Sequence, residues 1–268
     1  MQRISTRNLV TQAMLIALSI ILVLLIRIPI FPSAPFLEYD MADLPILIGT
    51  FMFGPTAGLL LTAIVSVLQW LIVSQASGWV GAVMHFLATG AFVLIAGSLY
   101  KAKKTDKSLI LGLSLGATSM ILMMIPLNIV FSSYYYMGLP LYDSFNSLIT
   151  VLSALPQGFG AILTLLIASG IIVFLVERIF KKSKTITMKI LAFPIALAVI
   201  FLLIVPVNLF LGAYTVPNEA QGVIDMILPI FVPFNAIKAF GNGLLTYLLF
   251  SKLIPILSKK KPLQNKAI

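Results

Sequence analysis

Apolar runs of helix length recur along this chain, from Leu9–Ile28 at one end to the run that opens at Val232 at the other, and short clusters of lysine and arginine separate them. A bilayer's hydrocarbon core is about 30 Å thick and takes roughly 20 helical residues to cross, so runs of this kind fix the class of fold before any motif is considered. The chain is 60% hydrophobic and 10% charged, with a mean hydropathy of +1.10, more apolar than a soluble core of 268 residues requires. No ten-residue stretch alternates as a transmembrane barrel strand would. The expectation is an all-α, polytopic membrane helix bundle. Leu9–Ile28 is long enough to span, and no small-residue cleavage site follows it, so it is expected to be a retained first span rather than a signal peptide.

The net charge of +10 would suit a nucleic-acid binder if it were spread over one face. It is instead gathered in four places: Arg3 and Arg7; Lys101, Lys103, Lys104 and Lys107; Arg178, Lys181, Lys182, Lys184 and Lys189; and Lys252, Lys259, Lys260, Lys261 and Lys266. By the positive-inside rule these clusters and both termini lie in the cytoplasm, and the span number is even. Glu38, Asp40, Asp43, Asp143, Glu219 and Asp225 then fall on or near the outer side. Only Arg27 and Lys238 stand apart from the basic clusters.

Eight spans are expected in one membrane domain covering 1–268: about 8–29, 44–53, 56–73 and 80–100 within 1–107; 108–131 and 148–178 as an extra or duplicated hairpin over 108–185; and 188–212 and 228–257 within 186–268. The first ends at Pro29 and Pro32. The segment 31–43, rich in prolines, aromatics and acids, is a candidate lid over an outer pocket. Phe53-Gly-Pro-Thr-Ala-Gly58 breaks the chain between two short spans. Ile125-Pro-Leu-Asn128 followed by Tyr134 matches Val205-Pro-Val-Asn208 followed by Tyr214, 80 residues on. That spacing suggests a repeat.

Polar groups inside these runs are the candidates for function. Asn235, Lys238 and Asn242 lie at i, i+3 and i+7, one stripe of a helix. A lysine at mid-bilayer costs about 2.5–3.5 kcal/mol on insertion scales, so it must reach the headgroups, pair, or serve a ligand. Pro233 suits a helix's first turn and puts Lys238 only about 7–8 Å inside that end. Both a snorkelling lysine and a cavity-facing one remain open. His85 and Thr89 share a face at i, i+4. A lone histidine in a chain with no cysteine cannot build a metal site, and no metal or cofactor is expected. No Walker pattern, Ser/His/Asp set or spaced carboxylate pair marks an enzyme. A lipid enzyme would need polar clusters at the basic face, and a structural membrane protein would need no polar cavity. Ala13 and Ala17, four residues apart, allow close approach of another helix.

Phe36-Leu-Glu-Tyr-Asp-Met-Ala-Asp-Leu-Pro45, Phe53-Gly-Pro-Thr-Ala-Gly58, Met84-His-Phe-Leu-Ala-Thr-Gly90 and Pro233-Phe-Asn-Ala-Ile-Lys238 resemble segments of the substrate-binding (S) components of energy-coupling factor (ECF) vitamin transporters, and among them the riboflavin-binding type. The similarity runs over about 1–105 and 188–257. Such proteins have six helices, which leaves the hairpin 108–185 as the departure, and position 85, often Asn in the family, is His here. The resemblance implies a bundle that binds riboflavin from outside and releases it inside. It implies as partners a transmembrane coupling subunit, docked at Ala13 and Ala17, and two ATPase subunits. It leaves flavin mononucleotide open as a second cargo and another vitamin as the alternative. The ligand contacts it implies are Asn235, Lys238, Asn208, His85, Thr89, Met84, Phe36 and Phe234, with spans 7 and 8 completing the pocket and spans 5 and 6 peripheral.

Overall fold

The computed structural model describes residues 5–32, 34, 37–136, 138–149 and 230–259. Helix α1, Thr6–Leu25, opens on a Ser5 cap whose hydroxyl accepts from the Asn8 N–H. It stops four residues short of the expected end at 29. Ile28 precedes a proline, which disfavours its helical conformation, and Pro29 has no N–H to continue the ladder. Ile28–Pro29 instead forms a strand, β1, antiparallel to β2, Glu38–Tyr39, with Ile28 opposite Tyr39 and Pro29 opposite Glu38. Arg27 and Glu38 close an ion pair beside this ribbon.

Helix α2, Asp43–Phe53, is buried continuously from Asp43 to Phe51. It ends at Gly54, whose φ of 98° is accessible to glycine at little cost, and Pro55 starts α3, Pro55–Ile72. Gly58 is what lets the two helices close up, since a Cβ there would lie 2.1 Å from Thr50 Oγ1. Helix α4, Gly78–Lys103, is followed by Lys104 in the left-handed region, and a Thr105–Ser108 capping box starts α5, Asp106–Leu127. Pro126 inside α5 removes an N–H, and the helix widens into a π segment, Asn128–Ser132, before a last α-helical turn, Ser133–Tyr136. The helix numbered α6 here is Val232–Lys259.

Helix α4 lies between α3 and α5, and α6 packs along α5 and α2. The core they share includes Leu47, Leu61, Phe92, Val93, Leu109 and Ala117. Helix α5 is therefore part of the bundle's centre: Gly112 and Gly116 bring it against the α4 backbone at Ala96 and Phe92. Large apolar side chains such as Leu9, Met14, Leu25, Leu60 and Val67 are exposed. Among the described residues four helices are long and apolar enough to cross a membrane, Thr6–Leu25, Pro55–Ile72, Gly78–Lys103 and Asp106–Tyr135, and on such a bundle that surface meets lipid. The span expected over 188–212, and all but the start of that over 148–178, lie outside the described residues.

Candidate functional site

One end of the bundle is marked by the exposed lysines of the α4–α5 turn and by an aromatic cluster in which Phe51, Tyr100 and Phe250 pack with ring centroids 5.2–5.6 Å apart. The polar residues collect away from it, toward the end where α5 finishes and α6 begins. Helix α6 brings Asn235, Lys238 and Asn242 inward, with 2%, 8% and 0% of their surface exposed. Lys238 is thus buried in the bundle and paired there. Its Nζ donates to Asp40 Oδ2 at 2.7 Å.

Asp40 sits in the three-residue step between β2 and α2, and it is held there locally. Its Oδ1 accepts the Ala42 N–H at 3.0 Å, an Asx turn that aims the other carboxylate oxygen at α6. Asn242, one turn beyond Lys238, donates through Nδ2 to the Asp40 carbonyl at 3.1 Å and to Asp43 Oδ2 at 3.3 Å, and its Oδ1 accepts from the Tyr39 hydroxyl at 3.1 Å. Burial, helped by the Asp40 charge, pushes the Tyr39 phenol up to about 12, so it stays a donor throughout the physiological range.

Asp43, the first residue of α2, is fully buried and accepts from a second helix as well. His85 Nε2 is 3.1 Å from Oδ1 and Thr89 Oγ1 donates to the same oxygen at 3.0 Å. His85 Nδ1 is 2.7 Å from Ser66 Oγ on α3. The i, i+4 pairing of His85 and Thr89 expected from sequence is thus present, and its target is a carboxylate. Asp40 and Asp43 tie α2 to α3, α4 and α6, and neither was anticipated as a site residue. The available signal was an acid three residues after another, immediately before an unbroken apolar helix.

A second polar pair faces across the α5–α6 seam. Asn128 and Asn235 line one narrow cleft with Ile121, Met124, Ile125, Phe231 and Val232. Each follows a proline by two residues and donates its amide to the carbonyl four residues back, Asn128 to Met124 and Asn235 to Phe231, both at 2.7 Å. Ser132 Oγ also donates to Asn128 Oδ1, at 2.9 Å. Phe234 and Met84 are buried, at 5% and 8% exposure. Ala13 and Ala17 lie on the exposed side of α1. Phe36 and Asn208 fall outside the described residues.

The family model for the ECF transporter substrate-specific component matches residues 7–162, more than half of the chain. The chain belongs to the substrate-specific components of ECF transporters. The match continues through 108–162, the stretch that the resemblance had set aside as a departure. Among curated relatives of this S component, the riboflavin transporter RibU of Lactococcus lactis subsp. cremoris is 36% identical over 139 residues, 51% of this chain and 65% of that protein. RibU of Staphylococcus aureus is 34% identical over 168 residues, 63% of this chain and 80% of its own length. The riboflavin transporter FmnP of Bacillus subtilis is 36% identical over 141 residues, 52% and 70% respectively. This S component therefore aligns with just under two thirds of the Lactococcus protein's length. The solved structure of the S component of a bacterial ECF transporter superposes with a TM-score of 0.52 at 24% identity, over 95% of this chain and 98% of that one, which establishes a shared fold.

Proposed function

We propose that this chain is the riboflavin-binding subunit of an ECF vitamin uptake system, which takes the vitamin from outside and releases it inside when a transmembrane coupling subunit and two ATPases act on it. The names of its relatives point to the ligand, and the observation that carries the reading is the buried polar stripe of α6. Asn235, Lys238 and Asn242 face the interior of the bundle rather than lipid, at the end away from the lysine-rich turn. With that turn and both termini in the cytoplasm, the stripe lies in the outer half of the membrane.

An isoalloxazine ring offers a flat face for stacking and an imide edge with carbonyl acceptors and an N–H donor. Asn235 and Asn128, paired across the α5–α6 cleft, supply amides for that edge, while Lys238 keeps two N–H donors beyond the one given to Asp40. Phe234 and Met84, with Phe36, supply apolar cover for the ring faces. Asn208 remains a sequence-based candidate beside Asn128. Ala13 and Ala17, exposed on α1, offer a small-residue face on which a coupling helix can approach closely.

Titrating the detergent-purified full chain with riboflavin, and following the quenching of flavin fluorescence, tests the assignment. Saturable quenching at a one-to-one ratio supports it, and flavin mononucleotide as competitor reads whether the phosphate is tolerated. No quenching by protein that remains folded would remove riboflavin as the ligand.

A further inference from the structure

His85 bridges a serine hydroxyl on α3 and a carboxylate on α2. Ser66 Oγ lies 2.7 Å from the Thr62 carbonyl and 2.7 Å from His85 Nδ1. A carbonyl can only accept, so the single hydroxyl hydrogen of Ser66 goes to Thr62, and the hydrogen between Ser66 and the ring must come from Nδ1. On the other side of the ring, Nε2 faces Asp43 Oδ1, which already accepts from Thr89, while Oδ2 of the same carboxyl accepts from Asn242. A carboxyl group with donors on both oxygens is best satisfied as the carboxylate, and the hydrogen on that contact then belongs to Nε2.

We infer that the triad Ser66–His85–Asp43 is a buried proton-binding site in which His85 is held as an imidazolium, bearing a hydrogen on each ring nitrogen. The charges agree with the hydrogen count. Asp40, in the β2–α2 step, and Asp43, on α2, bring two negative charges into this part of the bundle; Lys238, on α6, brings one positive charge, and His85, on α4, brings the second. Tyr39 of β2 also faces the cluster, through Asn242, and stays neutral. Without the second ring proton, a buried carboxylate would be left without a cation of its own and one of the two contacts of His85 would set acceptor against acceptor. His85 is therefore a positioning residue. Both of its nitrogens are committed, and it fixes Asp43, hence the start of α2 and the ribbon strand just before it, onto α3 and α4. Seating the outer end of α2 is thereby linked to a proton.

His85 is the chain's single histidine, so its ring can be read alone. The full chain, carrying a tag free of histidine and labelled with 15N-histidine, is examined by NMR in detergent at neutral pH. Two protonated ring nitrogens are expected in the unaltered protein. Asp43→Asn should return the spectrum of a neutral imidazole, one nitrogen protonated and one bare. Asp40→Asn, which removes the acid that does not touch His85, should leave the imidazolium in place, and it provides the contrast if Asp43→Asn does not fold. A neutral ring in the unaltered protein overturns the inference, whether or not riboflavin binds. Loss of the imidazolium in Asp40→Asn would overturn the assignment of the proton to the Asp43 contact.

Discussion

Replacing Lys238 by Met separates what the lysine does for the fold from what it does for a ligand, provided Asp40 is changed as well. The ammonium and carboxylate are 2.7 Å apart with side chains only 10% and 7% exposed, so removing the ammonium alone strands a carboxylate in the bundle. Breaking a buried pair in this way typically costs about 3–5 kcal/mol, whereas an exposed pair would cost ~1 kcal/mol or less. Asp40→Asn should be destabilising for the mirror-image reason. The double variant Asp40→Asn/Lys238→Met leaves no stranded charge, and the Asn side chain can still accept the Ala42 N–H, so most of the loss should be recovered. A double-mutant cycle on unfolding in detergent, followed by circular dichroism, should thus give a coupling of about 3 kcal/mol or more. Riboflavin affinity should not recover with it. A charge-assisted hydrogen bond from Lys238 to a ring carbonyl contributes about 1.5–3 kcal/mol, so the double variant should bind roughly 10- to 150-fold more weakly with most of its stability recovered. Unchanged stability in Lys238→Met would refute the buried pair. An unchanged dissociation constant in a stable double variant would leave the pair standing and remove Lys238 from the ligand's contacts.

Asn128→Ala is expected to weaken riboflavin binding, because Asn128 shares a cleft with Asn235; if Asn208→Ala abolishes binding in the same titration and Asn128→Ala does not, the pocket has been built from the wrong partner. Replacing Ala13 and Ala17 together by Trp should abolish vitamin uptake by cells and spare binding by the purified protein, since two bulky side chains would block helix approach on an exposed face of α1. Normal uptake would take the coupling subunit off that face. Tyr39 titrates in the folded protein at about 12 against an ordinary value of 10.0, so between these two values the unfolded chain has lost a proton that the folded one retains. Stability should therefore fall as pH rises across that window, and Tyr39→Phe should show a shallower fall there in thermal unfolding; identical alkaline profiles would contradict the burial of the phenol.

The helices were legible because the signals that make them are local. Gly54-Pro55 and the Thr105–Ser108 box punctuate the chain where the structure turns, and Phe53, Ile72 and Lys103 end helices within a few residues of the expected positions. The β1–β2 ribbon was not legible: strands of two residues have no period to detect, and a proline after an apolar run signals a helix stop without indicating a pairing partner. The site divided along the same line. One helical stripe places Asn235, Lys238 and Asn242 together, and another places His85 and Thr89, because periodicity within a helix is a property of the sequence. What each stripe faces is not. Topology rules treat any acid between spans as a loop charge, and so place Asp40 and Asp43 outside, although Leu44–Phe51 follows without a single exposed residue. An acid at the head of a buried helix has no water to turn to and must find cations and donors in the protein; Asp43 finds His85, 42 residues away in sequence, and Asp40 just before it finds Lys238, 198 away. Asn128 and Asn208 illustrate the converse. Their flanking motifs are nearly the same, so nothing local separates them, and it is the packing of α5 along α6 that puts Asn128 opposite Asn235. The sequence thus offers the donors as a stripe, and the acceptors that make the stripe a site become visible only where the chain brings distant residues into contact.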